Sequence, residues 1–339
     1  MIDTKPVNFA TVGYILGIRG KCLYYWYRRY LSGYTESLSS GEWGKDDFVS
    51  YHGREPSRCR VPVLKPENFG AEMSIDEKML DEDFYTIMTN RETGKIALFA
   101  QTIRVDELIK LIDKIPQIRN IPKNITCDLS PTYEKFCKIA FPQATQIADK
   151  FHVIKSAIES LQSVRIRLKQ NYLSSLPKDK KERKAAEETS LLINHETPSE
   201  MLTRSHYLLF KRPQEWTEKQ QQRSNILFEN YSEIKKAYYN TLAFRKLLDK
   251  KNINQLHLMD KQWNEWYFQV DEDNVDEMRA FAASVERHEK KIKNYLLTGK
   301  TNAAAENINS KLQRFISANY GTRDIDFFLF RINKYFSQH

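Results

Sequence analysis

From Ala71 onward, apolar residues gather in runs of strand length, at 73–78, Phe84–Met88 and Lys95–Thr102. The turn-forming run Asn90-Arg91-Glu92-Thr93-Gly94 joins the last two. The spacing then changes to that of an amphipathic helix over Val105–Ile115, which Pro116 ends. A strand is predicted at Ile125–Asp128. A helix follows Ser130-Pro131, with proline in the first turn, where its missing N–H costs nothing. One more strand is predicted at Thr145–Phe151. The predicted order is three strands, a helix, a strand, a helix and a strand.

Beyond Phe151 the pattern is different. Residues 152–298 carry almost no strand signal and few glycines. They hold long amphipathic runs at Val153–Leu173, Asn225–Leu248 and Asp276–Leu297, with Trp216, Trp263 and Trp266 as large apolar anchors. A helix is predicted after Thr301-Asn302, either of which can cap it, and Ala303-Ala304-Ala305 favour its first turn. Along that helix Ile308, Leu312 and Phe315 form one apolar stripe. Glu306, Asn309, Ser310 and Gln313 form a separate polar face at i, i+3, i+4 and i+7. An aromatic helix, Ile325–Phe336, is predicted to follow and to cover the core.

Ahead of the strands, Phe9, Val12, Ile15 and Leu16 recur at helical spacing until Gly17. A second helical run, Lys21–Tyr30, follows, with Leu23 and Trp26 expected to be buried. Two short helices crossing at a tight turn give residues 1–36 a helix-turn-helix look. Arg19, Lys21, Tyr25, Arg28 and Arg29 then make a basic and aromatic surface suited to phosphates and base edges, with DNA as its expected partner. The bland alternative is a helical hairpin that packs on the body of the protein. Residues 37–70, rich in Ser, Gly and Pro, are predicted to form an extended linker with one strand around Arg60–Leu64.

At 339 residues the chain is long enough for two or three domains, and an apolar content of 41% argues against disorder. A mean hydropathy of −0.63 and the lack of a spanning apolar run or a signal peptide predict a soluble, cytoplasmic protein associated with no membrane. Four cysteines without a paired CxxC offer neither a zinc site nor a disulfide framework. A formal net charge of +9 favours a polyanionic partner, most simply nucleic acid. Part of that charge is concentrated at residues 165–184, with eight basic residues against two acidic ones. This stretch is either a solvated helix face or a clamp on a DNA backbone.

With 44 acidic residues in the chain, no single one is informative; order and context are. Asp76 lies in the first predicted strand, Asp128 ends the fourth, and Glu306 lies on the polar face of a late helix. Two strand carboxylates and one helix carboxylate can converge at one edge of a sheet. There they can hold two Mg²⁺ ions about 3.5–4 Å apart for in-line phosphoryl transfer. Mg²⁺, with Mn²⁺ as a substitute, suits a set of hard oxygen donors without a His or Cys cluster. Glu77 is the nearest rival ligand, and an ordinary surface acid is the bland reading of each position. The strand and helix order, with acids on the first and fourth strands, is that of an RNase H-like fold.

Six ordered runs carry a resemblance over about 70–336. They are Ser74-Ile75-Asp76-Glu77, Thr126-Cys127-Asp128-Leu129-Ser130, Ala148–Val153, Tyr207–Lys211, Thr301–Glu306 and Asp326–Arg331. Together they resemble the DDE transposases of bacterial insertion sequences, most closely the ISL3-type family. The resemblance implies an α/β plus α fold. Its RNase H-like mixed-sheet core, at 71–152 and 299–339, is interrupted by a large all-helical insertion at 153–298. The resemblance also implies Asp76, Asp128 and Glu306 as catalytic and metal-binding residues. The reaction it implies is cleavage at the element's ends followed by strand transfer of the freed 3′-hydroxyl into target DNA.

The expected partners are double-stranded DNA, a second copy of the chain on that DNA, and a separate small DNA-binding protein. The last would substitute for the paired-cysteine segment that the family often carries and this chain lacks. The family's basic residue seven positions past the glutamate is also missing, since Gln313 stands there between Lys311 and Arg314. Two other readings stand beside this one: a catalytically inactive DNA-binding regulator, and an RNase H-like nuclease without strand transfer.

Overall fold

The computed structural model describes residues 2–3, 5–43, 47–49, 57–80, 82–249, 256–298, 303–319 and 324–337. The backbone alone is described at 47–49, 57–58, 256–258, 303–306 and 337. The chain divides into two compact units. Met1–Asp149 and Lys300–His339 form the first, and Lys150–Gly299 the second.

The first unit opens with helices α1 (Phe9–Ile15), α2 (Gly20–Trp26) and α3 (Tyr34–Ser39), with one π-helical turn at Tyr27–Leu31. The α1–α2 crossing is close because two glycines allow it. A Cβ on Gly13 would meet the Ile18 carbonyl oxygen at 2.6 Å, and one on Gly20 would meet the Ala10 Cα at 2.7 Å. Trp26, expected in the core, is 51% exposed, whereas Leu23 is buried. The buried stripe of this helical pair runs through Leu23 and Tyr27, so Trp26 falls on the outer side.

The described residues of the predicted 37–70 linker include three short strands rather than one. Strands β1 (Asp47–Val49) and β2 (Ser57–Cys59) pair antiparallel, and β3 (Val63–Leu64) joins the main sheet. Strands β4 (Glu72–Leu80), β5 (Asp83–Asn90) and β6 (Ile96–Ala100) follow. After them come α4 (Val105–Asp113), β7 (Asn124–Cys127), α5 (Pro131–Ala140) and β8 (Thr145–Ala148). The six-stranded sheet has the order β3-β6-β5-β4-β7-β8. β4, β5 and β6 form an antiparallel meander, while β7 and β8 add parallel to β4. The β5–β6 turn closes on Asn90, whose Oδ1 accepts from the Glu92 and Thr93 backbone N–H groups at 2.9 and 3.1 Å. Gly94 supplies a φ of +69°. β8 stops at Ala148. Phe151, expected to end that strand, lies in the next helix.

The second unit is built from α6 (Lys150–Ser175), α7 (Lys180–Thr189), α8 (Pro198–Arg204), α9 (Glu218–Asn230), α10 (Ser232–Leu247), α11 (Leu256–Asp273), α12 (Asp276–Arg287) and α13 (Glu289–Thr298). Its described residues hold no strand. Two runs predicted as continuous are broken, Asn225–Leu248 at Tyr231 and Asp276–Leu297 at His288. Trp263 and Trp266 are buried around Phe244 and Phe281, and Trp216 stacks on Tyr238 at 5.5 Å. The chain then returns to the first unit for α14 (Ala303–Ala318) and α15 (Ile325–Ser337).

The sheet is covered on both faces. Met73, Ile75, Met88, Ile125 and Cys127 pack with Leu108, Leu111, Tyr133 and Phe136 of α4 and α5. On the other face Tyr85, Ile87 and Phe99 pack with Ile308, Leu312 and Phe315 of α14 and with Phe328 and Ile332 of α15. Strand side chains alternate between these layers. This alternation decides which acids face which helices.

Candidate functional site

Asp76 and Asp128 come to the same level of the sheet. β4 and β7 run parallel, with Ser74 paired to Thr126. Asp76 lies two residues beyond Ser74, and Asp128 two beyond Thr126, just past the end of β7. Adjacent strands lie about 4.8 Å apart, so the two residues are neighbours across the sheet. Asp76 pairs in register with Ile87, a member of the layer packed under α14 and α15, so it shares that face. Ile75 and Cys127 fill the opposite layer, which puts Asp128, next to Cys127, in phase with Asp76.

Local bonds hold both carboxylates. Asp76 Oδ1 accepts from the Glu77 backbone N–H at 2.8 Å, and Asp128 Oδ1 accepts from the Ser130 N–H at 2.9 Å where α5 begins. The second oxygen of Asp76 meets two groups from elsewhere. The Asn309 side-chain amide donates to it at 2.6 Å, and the Lys78 ammonium stands 3.6 Å away. Asn309 therefore docks α14 onto the strand that carries Asp76. Glu306 sits three residues earlier on that helix. The Glu306 side chain lies outside the described residues.

Glu77 takes the other side of the sheet. It pairs in register with Thr86, whose hydroxyl bonds the Thr102 carbonyl and lies 3.3 Å from the Tyr133 hydroxyl. Burial raises the pKa of the Glu77 carboxyl, and the charges of Asp128 and Asp76 raise it further. Burial likewise raises the Tyr133 phenol. Among the described residues no three His, Cys, Asp or Glu side chains stand together as metal ligands. Beside the site Arg91 is buried. It donates to the Thr126 hydroxyl at 2.8 Å and faces Glu72 at 3.7 Å, and it bridges the β5–β6 turn to β7.

The N-terminal surface residues divide. Arg19, Lys21, Tyr25 and Arg29 are exposed. Arg28, expected with them, turns inward instead. Its Nε bonds Asp324 at 2.8 Å, and its guanidinium lies 4.9 Å from the Tyr34 ring and 5.8 Å from that of Phe327. Tyr24 also donates to Asp324, and burial, with that carboxylate next, pushes its phenol up to about 12. Arg331 is buried between the rings of Phe9 and Phe315, bonds Asn319 and the Val7 carbonyl, and is pushed down to about 10 by burial. The hairpin thus packs on α15 through charged and aromatic contacts, in keeping with the bland alternative, while its outer side stays exposed.

The model of the ISL3-type DDE family, described as a transposase, matches residues 73–332. No curated protein matches the chain. Among solved structures the chain is similar to the catalytic core domain of BIV integrase. The identity is 13% and the TM-score 0.20, covering 42% of this chain and 99% of that one. Among the described residues no helix is long and apolar enough to cross a membrane.

Proposed function

Because the chain belongs to the ISL3-type DDE transposase family, we propose that it is a magnesium-dependent polynucleotidyl transferase that cuts and joins DNA at the ends of an insertion sequence. In this reading the first unit is an RNase H-like catalytic core, and the second is a helical insertion into it. The observation that carries it is the pairing of Asp76 and Asp128 at one level and on one face of adjacent parallel strands, under the helix that carries Glu306.

The residues present fit a hard divalent cation. The Asp76 carboxylate already gathers an ammonium and an amide N–H at one oxygen, as a site built for positive charge would. Asp76, Asp128 and Glu306 would hold Mg²⁺, two ions per site, with Mn²⁺ as a substitute. When bound, magnesium supplies Lewis acidity toward the attacking and leaving oxygens of phosphoryl transfer. The protein's own contribution is positional. Asn309 fixes the Asp76 carboxylate, and the Ser130 N–H fixes that of Asp128. In the first reaction water adds to phosphorus and the bond to the 3′-oxygen breaks. In the second the freed 3′-hydroxyl attacks a target phosphodiester, and the bond from that phosphorus to the target strand's own 3′-oxygen breaks.

The deciding experiment is cleavage of a labelled duplex carrying the element's own ends, with Mg²⁺ and with EDTA. Magnesium-dependent nicking at the element boundary supports the assignment, and cutting that survives EDTA overturns it. Binding without any cleavage assigns the protein as a regulator. Double-stranded DNA is the proposed partner of the exposed hairpin surface. Replacing Arg19, Lys21 and Arg29 by Ala should weaken duplex binding. It should also flatten the plot of log affinity against log salt by up to about 2.7, at about 0.9 for each phosphate left without its cation. Arg28→Ala should lower thermal stability with little change in that slope, because Arg28 is spent on Asp324. An unchanged slope in the triple variant removes the hairpin from the DNA interface.

A further inference from the structure

Arg165, in the basic run of α6, is buried to 8% exposure, and among the described residues no acid pairs with it. Its Nη1 donates to the Leu202 carbonyl at 3.0 Å and its Nε to Gln162 Oε1 at 2.6 Å, so only neutral oxygens receive it. Burial lowers its pKa, and no carboxylate opposes the shift. A buried cation without a counter-charge is costly, and proteins ordinarily supply an acid. Its neighbour Arg167 shows the ordinary arrangement, bonding Glu277 at 2.7 Å and Glu233 at 2.6 Å.

Arg165 lines a surface groove of about 550 Å³ whose walls include no acid. Lys169, half-buried, lines it as well, and Ile166 and Tyr207 give it apolar and aromatic surface. Tyr207 is 75% exposed, and its ring is held edge-on to His206 at 4.7 Å. Beside it, Phe210 is exposed too and packs against His206 at 5.0 Å. A positively charged groove with a propped, exposed aromatic ring combines the two needs of a single nucleotide: charge for the phosphate and a face for the base. A larger groove, along α10, contains Asp273, whose carboxylate lies against Lys236 and would repel a phosphate.

We propose that the groove formed by α6 and the α8–Tyr207 segment binds one nucleotide of a DNA strand. The phosphate lies on Arg165 and Lys169, and the base is unstacked onto Tyr207. The proposal rests on the reading of the protein as a DNA enzyme and adds to it a place for a base outside the duplex.

The test is anisotropy titration of the full chain against two fluorescent probes. One is a mixed-sequence single-stranded oligodeoxynucleotide of roughly 20 nucleotides, and the other a duplex of the same length. Tyr207→Ala should weaken single-strand binding about tenfold and leave duplex binding within about twofold, whereas Tyr207→Phe keeps both. Lys169→Ala should lower the single-strand salt slope by about 0.7. Tyr207 is exposed and Lys169 only half-buried, so neither change opens the core. If the wild-type chain binds both probes and Tyr207→Ala binds the single strand as tightly, the nucleotide site is wrong and the DNA reading stands. An equal loss in Tyr207→Phe also overturns the stacking role. If the wild type binds neither probe, the DNA reading itself fails, and this proposal with it.

Discussion

Asp76→Asn and Asp128→Asn are each expected to lower DNA cleavage at least about a thousandfold while leaving the fold and duplex binding in place. Asparagine keeps an oxygen for the local bond at each position. At 76 that oxygen still accepts from the Glu77 N–H, and at 128 from the Ser130 N–H. Each loses one negative charge at a site proposed to hold divalent cations, and Asp76→Asn also loses the oxygen that accepts from Asn309 and faces Lys78. The stabilisation such ions give to developing charge is several kcal/mol, and each 1.4 kcal/mol is a factor of about ten in rate. Glu306→Gln should behave alike. The measurements are single-turnover cleavage of an end-labelled duplex, with thermal melting and duplex binding as controls. Any of the three that retains cleavage within about tenfold of wild type removes that residue from the catalytic set. A variant that melts early is read instead as a structural loss.

The strands around these acids are legible in the sequence because the local signals agree. The apolar runs of strand length, the Asn90–Gly94 turn and the proline that opens α5 all point to the elements found. From the alternation of the strands, the face shared by Asp76 and Asp128 follows as well. The errors fall where a local pattern meets a distant partner. Phe151 reads as the end of a strand, yet helix α6 begins at Lys150. Arg28 reads as a surface cation because its counter-ion, Asp324, lies 296 residues away in the chain. Trp26 reads as a core residue from its helical spacing with Leu23, although the buried stripe passes through Leu23 and Tyr27. The break at Tyr231 has no proline or glycine to announce it. Arg165 is visible only as one charge in a basic run. Nothing in that run separates it from Arg167, whose acids come from α10 and α12.

Asn309 belongs to the same class of hidden interaction, and its removal should have the second largest effect on the reaction. The residue stands on the polar face predicted for α14, but nothing local shows that its amide reaches a strand 233 residues earlier. Its bond to Asp76 is a charge-assisted one at 2.6 Å, and it faces the same oxygen as Lys78. Without it the carboxylate gains rotational freedom, and α14 loses the polar tie that holds it beside the sheet one turn after Glu306. The apolar stripe of Ile308, Leu312 and Phe315 still docks the helix, so the fold should survive. Residues that orient a metal-binding carboxylate typically account for roughly 10–100-fold in affinity or activity. Asn309→Ala is therefore expected to lower cleavage and Mn²⁺ affinity together by about that factor, with duplex binding unchanged. Because the loss is one of positioning, raising the metal concentration should recover part of the cleavage. A purely structural role for Asn309 predicts early melting and no recovery with metal. Cleavage and Mn²⁺ affinity both within about twofold of wild type would show that the 2.6 Å bond does not position Asp76 at all.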